Sequence, residues 1–185
     1  QHSKLQKTLL KKEKDKLKLF TGKNLWETNG NEELGIRELR VADGPHGLRK
    51  ILRNEEENKH TTCFPTAVNL ASTFNKKMVF NVGKYIADEC LEAKVDILLG
   101  PGVNLKRYPL GGRNFEYYSE DPYLTGIIAK NFINGVQSKN VGTSVKHLIC
   151  NEQEDYRVTN SSEVDDLAFY NLYFKAFKLA LEANP

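Results

Sequence analysis

Gly111-Gly112-Arg113-Asn114-Phe115-Glu116-Tyr117-Tyr118-Ser119-Glu120-Asp121-Pro122 carries too much chemistry for a connector. Two glycines free the backbone at its start, where φ > 0 becomes accessible. Pro122 closes it and biases Asp121 away from helical angles, so a new element starts there. Between them lie an arginine, acids and aromatic rings, the mixture a sugar-binding cleft needs. The plainer reading is an ordered surface loop with local Arg–Glu pairs.

Working outward, Val95-Asp96-Ile97-Leu98-Leu99 reads as a short apolar strand ended by Gly100-Pro101-Gly102. After the loop, Tyr123 to Lys139 places Leu124, Ile128, Phe132 and Val136 on one helical stripe. Upstream, Lys76 to Lys94 does the same with Val79, Val82, Ile86, Cys90 and Ala93. Leu39-Arg40-Val41 reads as a strand running into Asp43-Gly44-Pro45-His46-Gly47-Leu48-Arg49, and Thr66 to Leu70 as a second short strand. Residues 53–61 are polar and read as an exposed loop. Downstream, Val141 to Ile149 reads as a strand holding Lys146 and His147, and Asn151 to Ser162 as a polar loop. The last helix starts near Glu163, with Leu167, Tyr170, Phe174, Phe177 and Leu181 as its stripe. A lysine-rich helix capped by Ser3 is expected to run to about Phe20.

Strand and helix alternate, which argues an α/β fold on a parallel sheet. Asp43, the Gly100–Asp121 loop and the Lys146-His147 pair all fall where strands end and helices have yet to begin. A (β/α)8 barrel puts its active site on that face, and a doubly wound sheet does too. A full barrel needs about 250 residues, so at 185 residues this chain would hold only part of one.

Apolar residues make up 39% and charged residues 28%, as in an ordinary globular domain, and the net charge of +3 calls for neither nucleic acid nor a membrane surface. No apolar run approaches the length of a membrane span. Cys63, Cys90 and Cys150 are odd in number and widely spaced, which fits small buried side chains in a reducing compartment better than disulfides or zinc. Sparse cysteine and the lack of an apolar signal core lean towards the cytoplasm. The single sequon Asn160-Ser161-Ser162 weighs little against that.

Gly111-Gly112-Arg113 fits no phosphate-cradling spacing. His147, Cys150, Glu152 and Glu154 match no tight metal pattern, so neither a metal nor a cofactor is expected. Glycoside hydrolysis fits better. It needs two carboxylates flanking the scissile bond, and donors for sugar hydroxyls. From the residues alone the pair falls among Glu116, Glu120, Glu152 and Glu154. Arg113, Lys146, His147 and Arg157 would be donors, and Asp43 an acceptor.

Ordered blocks then resemble one family. They are K-L-K-L-F-T-G-K-N-L-W at Lys16 to Trp26, D-G-P-H-G-L-R at Asp43 to Arg49, and F-P-T-A at Phe64 to Ala67. L-L-G-P-G-V-N at Leu98 to Asn104, G-G-R-N-F-E-Y-Y-S-E-D-P at Gly111 to Pro122, Lys146-His147-Leu148, Asn151-Glu152-Gln153-Glu154 and Arg157 complete them. From about residue 14 onward the chain resembles the N-terminal domain of family 3 glycoside hydrolases, in the β-glucosidase branch.

The resemblance implies that residues 1–185 are the N-terminal part of a (β/α)8 barrel-like domain of a retaining β-glucosidase. Its glucose-holding subsite would use Asp43, Arg49, Arg113, Lys146, His147 and Arg157, with Asp43 accepting and Arg113, Lys146 and His147 donating. Glu116, Glu120 and Asp121 would fix the arginine loop, which displaces the unaided reading of the acids. The substrate would be a glucoside or cello-oligosaccharide. The nucleophilic aspartate and the acid/base would lie beyond Pro185, so the site needs further C-terminal domains and these residues alone are expected to be inactive. Relatives that cleave N-acetylglucosamine carry Lys-His-Phe-Pro-Gly, whereas this chain reads Lys146-His147-Leu148-Ile149-Cys150-Asn151. β-Xylosidase or α-arabinosidase specificity stays open, as does a non-catalytic sugar-binding or interaction role. A part-barrel also leaves a sheet edge and apolar helix faces uncovered, which favours self-association in isolation.

Overall fold

A computed structural model describes residues 17–49 and 60–185. The expected N-terminal helix lies mostly outside these residues, as does most of the expected 53–61 loop. Three short strands form one parallel sheet: β1 (Val41–Asp43), β2 (Ile97–Leu99) and β3 (Gly142–Thr143). Ala42 pairs with Leu98, and Leu98 with Thr143. The helices are α1 (Ala67–Ser72), α2 (Lys76–Glu92), α3 (Pro122–Gln137), α4 (Asp166–Ala168) and α5 (Phe174–Leu181).

Spatial order equals chain order, β1-β2-β3, without a reversal. Right-handed crossovers then put the helices between β1 and β2 and between β2 and β3 on the same face of the sheet. Accordingly α2 packs on α3, and α3 on α5, in one row. This is the arc of a (β/α)8 barrel. A doubly wound sheet reverses its order only between its two three-strand halves, so three strands in chain order fit the arc without choosing it.

Local chemistry starts the two long helices. Asn75 accepts from the Met78 amide at 3.0 Å and caps α2. Asp121 accepts from the Leu124 amide at 2.6 Å and caps α3, with Pro122 in the first turn where its missing N–H costs nothing. Asp121 is extended, as the following proline requires. Val79, Ile86, Ala87 and Cys90 of α2 meet Ile128, Ala129, Phe132, Ile133 and Val136 of α3 in the main core. The helices approach closely because α3 has Gly135 at the crossing, where a Cβ would lie 2.1 Å from the Phe80 carbonyl oxygen.

Several expectations are corrected. Thr66 to Leu70 is helix, not strand: the Thr66 side chain accepts from the Asn69 amide and starts α1. The first strand is Val41–Asp43, two residues further on than Leu39–Val41. The third is two residues long because its pairing passes to single bridges, Lys146 lying beside Gly102. The stripe of the last helix holds in part: Phe177 is buried and Phe174 half-buried, but Leu167, Tyr170 and Leu181 are exposed, and Tyr173, Ala176 and Ala180 are buried instead. A π-helical turn at Phe169–Tyr173 shifts the phase between Leu167 and Tyr170 and the residues that follow. Of the cysteines only Cys90 is fully buried, and burial pushes its thiol up to about 12; Cys63 is exposed and Cys150 half-buried.

Gly135→Ala is expected to destabilise by roughly 1–3 kcal/mol, the cost of overpacking a tight helix contact. A lower urea midpoint with an unchanged slope would be the sign of it. No change would mean that α2 and α3 separate without penalty.

Candidate functional site

Three strand ends and the Gly111–Pro122 loop build one cluster. Asp43 is the last residue of β1. Its Oδ1 accepts from Lys146 Nζ at 2.8 Å. Lys146 also lies 3.7 Å from Glu116 Oε2. The other oxygen of Glu116 accepts from Arg113 Nε in a short ion pair. The Glu116 side chain is only 2% exposed, so its charge is tolerated because two cations sit on it. Burial opposes the Arg113 charge, but Glu116 outweighs it and holds the guanidinium more firmly protonated.

The loop is fixed from both sides. Gly102 bridges in parallel to both Tyr117 and Lys146, which aligns the arginine loop with the segment after β3. Lys146 N donates to the Pro101 carbonyl at 3.0 Å, and Val103 N to the Lys146 carbonyl at 2.7 Å. Gly111 and Gly112 do not adopt positive φ. Gly111 is needed for proximity instead, since a Cβ there would stand 2.6 Å from the Glu152 carbonyl oxygen.

His147 is held by its backbone and by its ring. Asn104 Oδ1 accepts from the His147 amide at 2.7 Å, and Asn104 Nδ2 donates to its carbonyl at 3.0 Å. The side-chain amide thus stands in for a neighbouring strand. The ring Nδ1 meets the Tyr117 hydroxyl at 3.0 Å. Tyr117 is buried, and burial raises the pKa of its phenol. Burial first, and then the Arg113 charge, hold His147 down at about 4, so the ring is neutral at ordinary pH.

Arg157 stands at the edge. It donates to Glu154 at 3.2 Å with its own side chain 64% exposed. Glu154 accepts in turn from Asn151 Nδ2 at 2.8 Å, and Asn151 reaches the Tyr117 hydroxyl at 3.1 Å. Burial works against the Glu154 charge, but the bonds from Asn151 and Arg157 outweigh it and hold its carboxyl below the usual range. Arg49 lies apart from the bonded cluster, with its guanidinium 5.8 Å from the Trp26 ring centroid. Its backbone amide donates to the Asp43 carbonyl at 2.7 Å, so it steadies the turn after β1.

Asp43, Arg113, Lys146 and His147 are therefore brought into one place, while Arg49 and Arg157 border it. The sequence reading missed Tyr117, Asn104 and Asn151 as supports. The acids it weighed are committed elsewhere: Glu116 to its cations, Glu154 to Asn151 and Arg157, and Glu152 to the Leu105 amide at 3.2 Å. Burial raises the Glu152 pKa. Glu120 is exposed.

Comparison with known proteins follows the same residues. The profile described as "Glycosyl hydrolase family 3 N terminal domain" matches residues 9–184. The exo-alpha-(1->6)-L-arabinopyranosidase of Bifidobacterium longum is 44% identical over 178 residues, covering 92% of this chain and 24% of that protein. Thermostable beta-glucosidase B of Acetivibrio thermocellus is 44% identical over 177 residues, covering 92% and 23%. Among solved structures, beta-glucosidase 3B from Thermotoga neapolitana in complex with alpha-D-glucose superposes with a TM-score of 0.90 at 37% identity. That match covers 97% of this chain and 28% of the other. The chain spans about a quarter of the length of these curated relatives.

Two outcomes are expected. Glu116→Gln leaves the partly buried Arg113 without its counter-charge and should cost roughly 3–5 kcal/mol, read as a lower unfolding midpoint. An unchanged midpoint would show that the ion pair is dispensable. For His147, the unfolded chain takes up a proton near its ordinary value of 6.5 while the folded ring stays neutral to about 4. Between these values the unfolded state binds more protons, so stability falls as pH is lowered through the window. His147→Gln should flatten that part of a melting-temperature profile against pH.

Proposed function

Because the chain belongs to the family 3 glycoside hydrolases, we propose that its cluster at the strand ends is the glucose-holding subsite of a retaining β-glucosidase. One observation carries the reading: an acceptor carboxylate, Asp43, sits bonded to Lys146 in a charge network that also holds Arg113. A sugar hydroxyl both donates and accepts. A carboxylate beside cations therefore matches neighbouring hydroxyls, with each bond strengthened by a full charge. Asp43 would accept a hydrogen bond from a hydroxyl on the oxygen that Lys146 leaves open, while Lys146 and Arg113 donate to hydroxyl oxygens. Arg49 and Arg157 would border the same subsite. Such a site rejects a sugar that leaves one partner unpaired.

Retention of configuration requires two carboxyls about 5–5.5 Å apart. Glu116, Glu152 and Glu154 are each tied down by protein partners. Glu116, Glu152 and Glu154 are therefore not read as the nucleophile or the acid/base. The glucose complex of the Thermotoga neapolitana relative supports glucose as the sugar.

The Bifidobacterium longum relative favours a second reading, an exo-acting α-L-arabinopyranosidase. α-L-Arabinopyranose shares the 2- and 3-hydroxyl arrangement of β-D-glucose. It differs in an axial 4-hydroxyl and a missing hydroxymethyl group. In the full-length protein that carries this chain, kcat/KM for aryl β-D-glucopyranoside is expected to exceed that for aryl α-L-arabinopyranoside; the reverse order would select the second reading. Asp43→Ala should lower kcat/KM by roughly 10- to 100-fold, the worth of a charged hydrogen bond. Activity untouched by that change would remove Asp43 from the subsite.

A further inference from the structure

One side-chain network at the edge of the site has only one arrangement of protons that satisfies all its members. It starts at the Glu154 carboxylate, which can only accept. Asn151 bonds Glu154 Oε1 at 2.8 Å, so the bonding atom is the amide nitrogen and its assignment is fixed. The second proton of that nitrogen points to the Tyr117 oxygen at 3.1 Å. The Asn151 backbone carbonyl, again only an acceptor, lies 3.2 Å from the same phenol. Tyr117 has a single proton, and burial keeps it on the oxygen. If that proton serves the Asn151 carbonyl, the phenol oxygen is free to accept from a third partner. That partner is His147 Nδ1 at 3.0 Å.

The opposite arrangement sends the phenol proton to Nδ1. It strips the Asn151 carbonyl of this donor and gains no bond in return. A neutral ring carries one proton, so a protonated Nδ1 means a bare Nε2. We propose that Tyr117 is a positioning residue that holds His147 as its Nδ1-protonated tautomer, leaving Nε2 to accept a hydrogen bond from a sugar hydroxyl. The sugar half rests on the function proposed above; the tautomer half stands on this network alone. The sense is opposite to the donor role that the family resemblance implies. It also gives exposed Arg157 a part without sugar contact, since Arg157 and Asn151 together fix the Glu154 carboxylate at the head of the network.

The test is spectroscopic. The full-length protein is labelled with 15N in its histidine rings, and long-range proton–nitrogen spectra are recorded near neutral pH. His147 is assigned by the signals lost in His147→Gln. The expected pattern is a protonated Nδ1 and a bare Nε2. Tyr117→Phe keeps the ring and removes the hydroxyl, and should move the proton to Nε2. Glucose should leave the tautomer unchanged and shift the Nε2 signal to lower frequency as that atom accepts. A protonated Nε2 in the parent protein, or a tautomer indifferent to Tyr117→Phe, overturns the positioning role and leaves the glucose subsite standing. The expected tautomer with no response to saturating glucose overturns the acceptor role and counts against the subsite. Should Tyr117→Phe fail to fold, the parent spectrum and the glucose titration decide the matter.

Discussion

Glu116 is buried at the junction of the arginine loop with the segment after β3, and a carboxylate so far from water persists only with cations on it. Arg113 takes one oxygen and Lys146 approaches the other. Neither cation is then free to swing into solvent, and Lys146 is left spanning to Asp43. Three separate strand ends are thereby tied through one acid. The arrangement resists substitution one member at a time, because removing any partner strands a charge in a dry place.

What the sequence disclosed depended on range. α2 and α3 were legible because their stripes and caps lie within a few residues of each other. The strands were legible only as apolar segments, since their register is set by partners more than 40 residues away. For the same reason the alternation of strands and helices could not choose between a barrel and a doubly wound sheet; superposition on a solved relative makes that choice, and the order of distant strands is not local. Thr66 to Leu70 misled because five residues with Ala67, Val68 and Leu70 as apolar positions suit either element. The side-chain stripe failed at Phe169–Tyr173, where a change of helical pitch leaves no mark in composition.

In the site, Asp43, Arg113, Lys146 and His147 stood out as charged or titratable groups at strand ends. Their supports did not. Tyr117 meets His147 across 30 residues and Asn151 across 34, while Asn104 grips the His147 backbone across 43. An aromatic or an amide in a loop advertises no partner. The one available signal was that Asn151 and Glu154 stand three apart in a polar loop, close enough to bond.

The π-turn between α4 and α5 is equivalent to one extra residue threaded into an α-helix. Each residue advances a helix by about 100°, so the insertion rotates everything after it by that much. As a result Ala176 and Ala180 of α5 are buried, with Leu179 and the Ala176 carbonyl against Gly126 of α3, while Leu181 is left outward. In the history of such a chain, a one-residue gain or loss here is a switch of surface for core along two turns of helix, made without altering a single side chain. Alignments of homologous helices through this point would slip by one position, and a conserved pattern would look degenerate until the gap was put in the right place.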